Sequence, residues 1–127
     1  MGRVERDTRQ RRAIRQVLEE AGRPLSPQEV WDASHRAVPG LGIATVYRTL
    51  KGWVAEGGLR SVELLGEPPR YEAAGKDHHH HFCCQECGKV YEIEGCPRDI
   101  QKLTPKGFRL ERHELVLYGR CAGCTMS

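Results

Sequence analysis

Two cysteine pairs, Cys84-x2-Cys87 and Cys121-x2-Cys124, leave the last third of this 127-residue chain few ways to fold. A C-x2-C knuckle turns two thiols toward one point, and two knuckles complete a closed tetrahedron of sulfur around a zinc ion. The 33 residues between the knuckles exceed a common zinc-ribbon loop. Closure entropy grows only with the logarithm of loop length, so a small sheet that brings the chain ends together accommodates them. With no coordination position open, such a site stabilises and does not catalyse. Disulfides are the competing use of six cysteines. The paired spacing argues for metal thiolates, and with no bilayer-length or signal-like apolar run, a soluble, cytoplasmic protein is expected.

The closed site does not explain His78-His79-His80-His81. On an extended backbone alternate side chains point to opposite faces, so His78 and His80 serve one metal while His79 and His81 serve another. Each pair needs further donors, and Glu72, Glu92, Cys96, Asp99 and His113 lie near expected turns and strand ends. A run of solvated histidines is the plain alternative.

The N-terminal part reads differently. The net charge of +3 is too small to indicate nucleic acid, but six arginines fall within the first fifteen residues against only Glu5 and Asp7. Ile14, Val17, Leu18 and Ala21 repeat at helical spacing over 3–21, and Gly22 closes that helix. Ser26-Pro27-Gln28-Glu29 has the form of a capping box with a first-turn proline, opening a helix that carries Val30, Trp31, Ala33 and Ala37 and ends at Pro39-Gly40. A third helix starts near Gly42 with Ile43, Val46, Leu50, Trp53 and Val54 on its inner side. Its outer side presents Ala44, Thr45, Arg48, Thr49 and Lys51, with Tyr47 at the border, a surface suited to a DNA groove. Two short strands, 59–65 and 70–73, joined by Gly66-Glu67-Pro68-Pro69, form a wing with Arg60 and Arg70 placed for phosphates. Three helices and a hairpin make a winged helix-turn-helix. A helical domain with a solvated basic face is the alternative.

Gly75-Lys76-Asp77 reads as a hinge between a DNA-binding domain at 1–74 and a metal-binding domain at 78–127. In the second domain, strands are expected at 81–84, 89–94 and 109–118 and a short helix at 97–103. Domains this small bury little apolar surface, so a metal staple suits them.

The order of Gly42-Ile43-Ala44-Thr45-Val46-Tyr47-Arg48-Thr49-Leu50, the histidine run, Cys84-x2-Cys87-Gly88-Lys89-Val90 and Cys121-x2-Cys124 resembles the ferric uptake regulator family over nearly the whole chain. The resemblance implies an α+β chain: an N-terminal winged helix-turn-helix domain and a C-terminal small α/β dimerisation domain with a four-cysteine zinc site. It implies a homodimer that represses transcription when its regulatory metal is bound. By position, Tyr47 and Arg48 resemble the groove-contacting residues, and Arg11 or Arg12 the basic contact from the first helix. Cys84, Cys87, Cys121 and Cys124 match the structural zinc ligands. His79 and His81, with Glu72 and Glu92, are similar to the regulatory site at the hinge. His78 and His80, with Asp99 and His113, are similar to a second site in the dimerisation domain. Arg23-Pro24 stands where many iron- and peroxide-sensing members carry a histidine. Cys96 resembles the thiolate that zinc-sensing members recruit to the regulatory metal.

A thiolate with imidazoles favours zinc over iron or manganese. The expectation is therefore a zinc-responsive repressor that binds double-stranded operator DNA, with Fe2+ or Mn2+ as alternative regulatory ions. A thiol redox switch at Cys83 or Cys96 is a reading of another class, though Cys83 equally suits a buried small hydrophobe. A zinc hydrolase is disfavoured because nothing resembles a His-Glu-x-x-His helix or a nucleophile elbow. Neither a membrane nor a small organic substrate is expected as a partner.

Overall fold

The computed structural model describes residues 2–76, 78–97 and 99–125, without the side chains of 2–7. Asp77 of the expected hinge and Arg98 of the expected helix at 97–103 thus lie outside the described residues, as do Met1, Met126 and Ser127. The chain divides after Lys76 into two compact units.

In the N-terminal unit, helix α1 (Gly2–Ala21) buries Ile14 and packs Ala13, Val17, Leu18 and Ala21 around it, one face of a helix. Gly22 ends it at φ +65°, which costs a glycine little. Helix α2 (Pro27–Ser34) opens on a complete capping box: the Glu29 N–H donates to the Ser26 hydroxyl and the Ser26 N–H to the Glu29 carboxylate, both at 3.1 Å. Arg23 adds an ion pair to that carboxylate at 2.6 Å. The helix is shorter than expected, and Ala37 lies in a turn beyond it. The Ala37 N–H donates to Ser34 O at 3.1 Å, a tighter turn than the helix makes. Pro39 then disfavours helical backbone at Val38.

Helix α3 (Ile43–Ala55) follows Gly42, with Val46 and Leu50 fully buried and Trp53 and Val54 packed at the margin. Strands β1 (Leu59–Leu64) and β2 (Glu67–Ala73) form an antiparallel hairpin pairing Leu59 with Ala73 and Val62 with Arg70. The second strand runs through Pro68 and Pro69, expected in the turn; a register shift between Val62 and Leu64 accommodates prolines that lack a ladder donor. Leu25 and Tyr71 exchange backbone hydrogen bonds at 3.0 and 2.8 Å and tie the hairpin to the helices. The common core is Ile14, Leu25, Val30, Val38, Leu41, Val46, Leu50, Leu59 and Tyr71. Burial of each large aliphatic side chain stabilises by about 1.5–3 kcal/mol.

The C-terminal unit is a three-stranded sheet in the order β4-β3-β5. Strand β3 (His80–Cys84) pairs antiparallel with β4 (Val90–Ile93) and parallel with β5 (Val116–Gly119). A 3-10 helix, Ile100–Leu103, lies between them, and a short helix α4 (Ala122–Thr125) forms within the second knuckle. The expected strand at 109–118 contracts to 116–119. The ladder with β3 runs from His81 with Val116 to Cys84 with Gly119, and beyond it the His81 N–H donates to Leu115 O at 3.2 Å, so the paired strand begins only at Val116. Among the described residues, this unit buries only Cys83, Cys84 and Val90 as apolar side chains, beside His80 and His81. So small a core requires reinforcement from elsewhere. No helix among the described residues is long and apolar enough to cross a membrane.

Candidate metal centres and nucleic-acid interface

The sheet order brings the two knuckles together, because β3 ends in Cys84 and its parallel neighbour β5 ends just before Cys121. The sulfurs of Cys84 and Cys124 lie 3.7 Å apart, those of Cys87 and Cys121 3.8 Å, and all four fall within 4.8 Å of one another. A tetrahedral zinc with Zn–S bonds of about 2.3 Å sets its sulfurs about 3.8 Å apart, so the four residues fit the ion. The N–H groups of Cys87 and Cys121 point at the Cys84 sulfur at 3.4 and 3.3 Å and draw its thiol down to about 6. Hydrogen bonds from Cys121 and Cys84, which share protons with it, push Cys124 up to about 12. Four thiols held this close compete for few protons, and a dication resolves that competition by taking four thiolates.

Alternation along β3 separates the histidines. His79 and His81 share a face, their rings 4.8 Å apart, and His79 Nε2 lies 3.7 Å from the Glu92 carboxylate. Glu92 reaches that face because it pairs across the ladder with His81. Glu72 stands in the other unit near the end of β2, 3.6 Å from Arg60.

On the opposite face the Nε2 atoms of His78, His80 and His113 form a triangle with every side 3.2 Å. The β3/β5 register, continued three residues back from His81 and Val116, sets His113 beside His78. Burial, then the surrounding histidines, lower the His80 pKa and favour the neutral ring that ligates metals.

Cys96 requires a correction. It is expected from the sequence beside His79 and His81, but its sulfur lies 2.9 Å from His113 Nε2, in the other cluster. The cause is the β3/β4 register: Ile93 pairs with His80, so the chain leaves β4 beside His80, and Gly95 at φ +93° turns it toward that face. The same cluster does not include Asp99, whose side chain is 77 % exposed and pairs with Lys102 at 3.3 Å. Pairing registers are non-local, and a set of residues near turns could not supply them. Cys83, offered as a redox thiol, is buried in the sheet, as a small hydrophobe would be.

In the N-terminal unit, α3 turns Arg48 and Lys51 to the surface and leaves Tyr47 44 % exposed. Arg48 donates to the Thr45 hydroxyl at 3.1 Å, which holds its guanidinium along the helix. Arg11 and Arg12 are exposed on α1, and a cleft of about 320 Å³ lined by Gln10, Arg11, Thr45 and Arg48 opens between the two helices. Arg60 is partly exposed. Arg70, also expected at phosphates, turns inward instead: its side chain is 9 % exposed, donates to Pro68 O at 2.6 Å and pairs with Glu67.

The family model of the ferric uptake regulator family matches residues 4–118. The ferric uptake regulation protein of Campylobacter jejuni is 35 % identical over 123 residues, 93 % of this chain and 78 % of that protein. A solved zinc-bound manganese uptake regulator superposes with a TM-score of 0.77 at 30 % identity, covering 88 % of this chain and 87 % of its own. The Helicobacter pylori ferric uptake regulator, whose structure reveals three functional metal binding sites, superposes with a TM-score of 0.74 at 28 % identity, covering 93 % of this chain and 81 % of its own. A match of this extent, over a winged helix followed by histidine and cysteine clusters, makes the chain a member of the ferric uptake regulator family of metal-responsive transcriptional regulators.

Proposed function

We propose that the chain is a zinc-responsive repressor that binds operator DNA as a homodimer when its regulatory site is filled. The observation that carries this reading is the pairing of His79 and His81 on one face of β3 with the Glu92 carboxylate beside them, apart from the closed four-thiol cluster. One centre holds the fold and the other is free to sense. Glu72, from the N-terminal unit, is proposed on the family likeness as the ligand that makes the metal act on both units. Arg48, Tyr47, Thr45 and Lys51 are the proposed groove and phosphate contacts, with Arg11 or Arg12 from α1. Arginine and lysine there bind the DNA backbone and raise affinity in a salt-dependent way.

The homodimer is supported by Leu103 and Phe108, 81 % and 72 % exposed, with Leu110, Leu117 and Tyr118 also open. So many large apolar side chains on one small unit suit a subunit interface. Zinc is favoured by the sulfur-rich character of the unit, which has a thiol in the second histidine cluster as well as in the knuckles. A specific observation favours a second reading: the group beside His79 is a carboxylate, a donor that iron and manganese also accept.

A mobility-shift titration of the homodimer with zinc, ferrous iron and manganese separates the readings. Zinc at the lowest concentration is expected to drive DNA binding, and His79→Ala or His81→Ala is expected to abolish that response while circular dichroism stays unchanged. Equal DNA binding in chelator and in every metal would remove the switch.

A further inference from the structure

The triangle of His78, His80 and His113 poses a hydrogen-bonding problem that a cation solves. A neutral imidazole Nε2 either donates or accepts, never both. Three such atoms at 3.2 Å from one another therefore leave at least one side of the triangle donor against donor or acceptor against acceptor, whichever tautomers are chosen. A metal ion accepts all three lone pairs together. Its Zn–N bonds of about 2.0–2.1 Å would set the nitrogens about 3.3 Å apart, close to the spacing already present.

Cys96 supplies the fourth corner. Its sulfur and the three nitrogens lie within 4.8 Å of one another. Its 2.9 Å approach to His113 is shorter than the roughly 3.6 Å a shared ion would set, so the exposed thiol must withdraw by under about 1 Å. No carboxylate belongs to this group of four.

On the three-histidine metal site that the family likeness already implies, we propose that Cys96 is the fourth ligand, closing a three-nitrogen, one-sulfur set for a borderline-soft divalent cation, zinc first, and that it sets the selectivity of that site against manganese and ferrous iron. Four donors in a tetrahedron suit zinc, whereas manganese favours carboxylate and water oxygens in six-coordinate sites. Filling the site breaks the Cys96 S–H bond, passes that proton to water and forms one metal–sulfur bond, with no change of oxidation state. The ion would join the start of β3, the turn after β4 and the approach to β5, and so fasten the irregular excursion through 94–115 to the sheet. The inference concerns the C-terminal unit alone and stands whether or not DNA binding responds to metal.

The test uses the full chain with zinc retained in the four-thiol cluster, verified as one zinc per chain, and cobalt(II) added as the probe. Wild type is expected to show tetrahedral visible bands and a near-ultraviolet sulfur-to-cobalt charge-transfer band, and Cys96→Ser to lose the charge-transfer band with its far-ultraviolet circular dichroism intact. In equimolar zinc and manganese, Cys96→Asp is expected to lower the zinc-to-manganese ratio bound beyond the first zinc by at least tenfold. An unchanged cobalt spectrum in Cys96→Ser would overturn the ligand assignment. An unchanged ratio in Cys96→Asp would overturn the selectivity.

Discussion

Cys84 is tied to each of the elements that meet at the knuckles. It ends β3, accepts N–H groups from Cys87 and Cys121, and stands 3.7 Å from the Cys124 sulfur. Replacing it by serine removes a thiolate from the closed tetrahedron and leaves those donors facing a weaker partner. Because the unit has so few buried apolar side chains, Cys84→Ser is expected to release the zinc and unfold residues 78–125 while the N-terminal unit keeps its helices. Zinc analysis with amide-resolved hydrogen exchange checks this, and protected amides in β3 of the zinc-free variant would contradict it. The four-cysteine centre could be read from the chain because each C-x2-C pair is local and only the meeting of two pairs is not. Cys96 and Asp99 could not be assigned the same way. Their neighbours depend on the register that pairs His80 with Ile93 and on the Lys102 ion pair, and neither leaves a mark in local spacing.

Elements whose ends are written in side-chain chemistry were legible in the same sense. Helix α2 opens at Ser26 because hydroxyl and carboxylate satisfy two otherwise unpaired N–H groups. Ser26→Ala is expected to cost about 1 kcal/mol of N-terminal stability, read as a lower denaturation midpoint at unchanged slope. Helix α3 was legible from Val46 and Leu50 recurring on one side. The strand at 109–118 was not, because alternation of polar and apolar residues shows that a segment is able to pair but not that a partner is present. Arg70 shows the complementary limit: a positive charge at a hairpin end suggests a phosphate contact, yet Glu67 and the Pro68 carbonyl hold it inside the hairpin.

At the scale of the whole molecule, the proposed switch requires the metal to prefer the DNA-competent arrangement by about 5.5 kcal/mol if occupancy is to move it from 1:99 to 99:1. Dimerisation is a separate property, carried in the proposal by exposed apolar side chains. Phe108→Glu is therefore expected to convert dimer to monomer in sedimentation velocity while each chain retains its four-thiol zinc. A dimer that persists unchanged would move the interface elsewhere. The alternation of the histidine run along β3 has a consequence for how such a chain can vary. Side chains on opposite faces exchange places when the strand slips by one position. With Phe82 to Cys84 holding the register, a non-histidine residue inserted between His79 and His80 would carry His79 onto the face of His80 and put the newcomer in its former place. Substitutions around the run are thus open to drift, whereas a single inserted codon would take a ligand from the proposed regulatory face and leave the opposite face its pair.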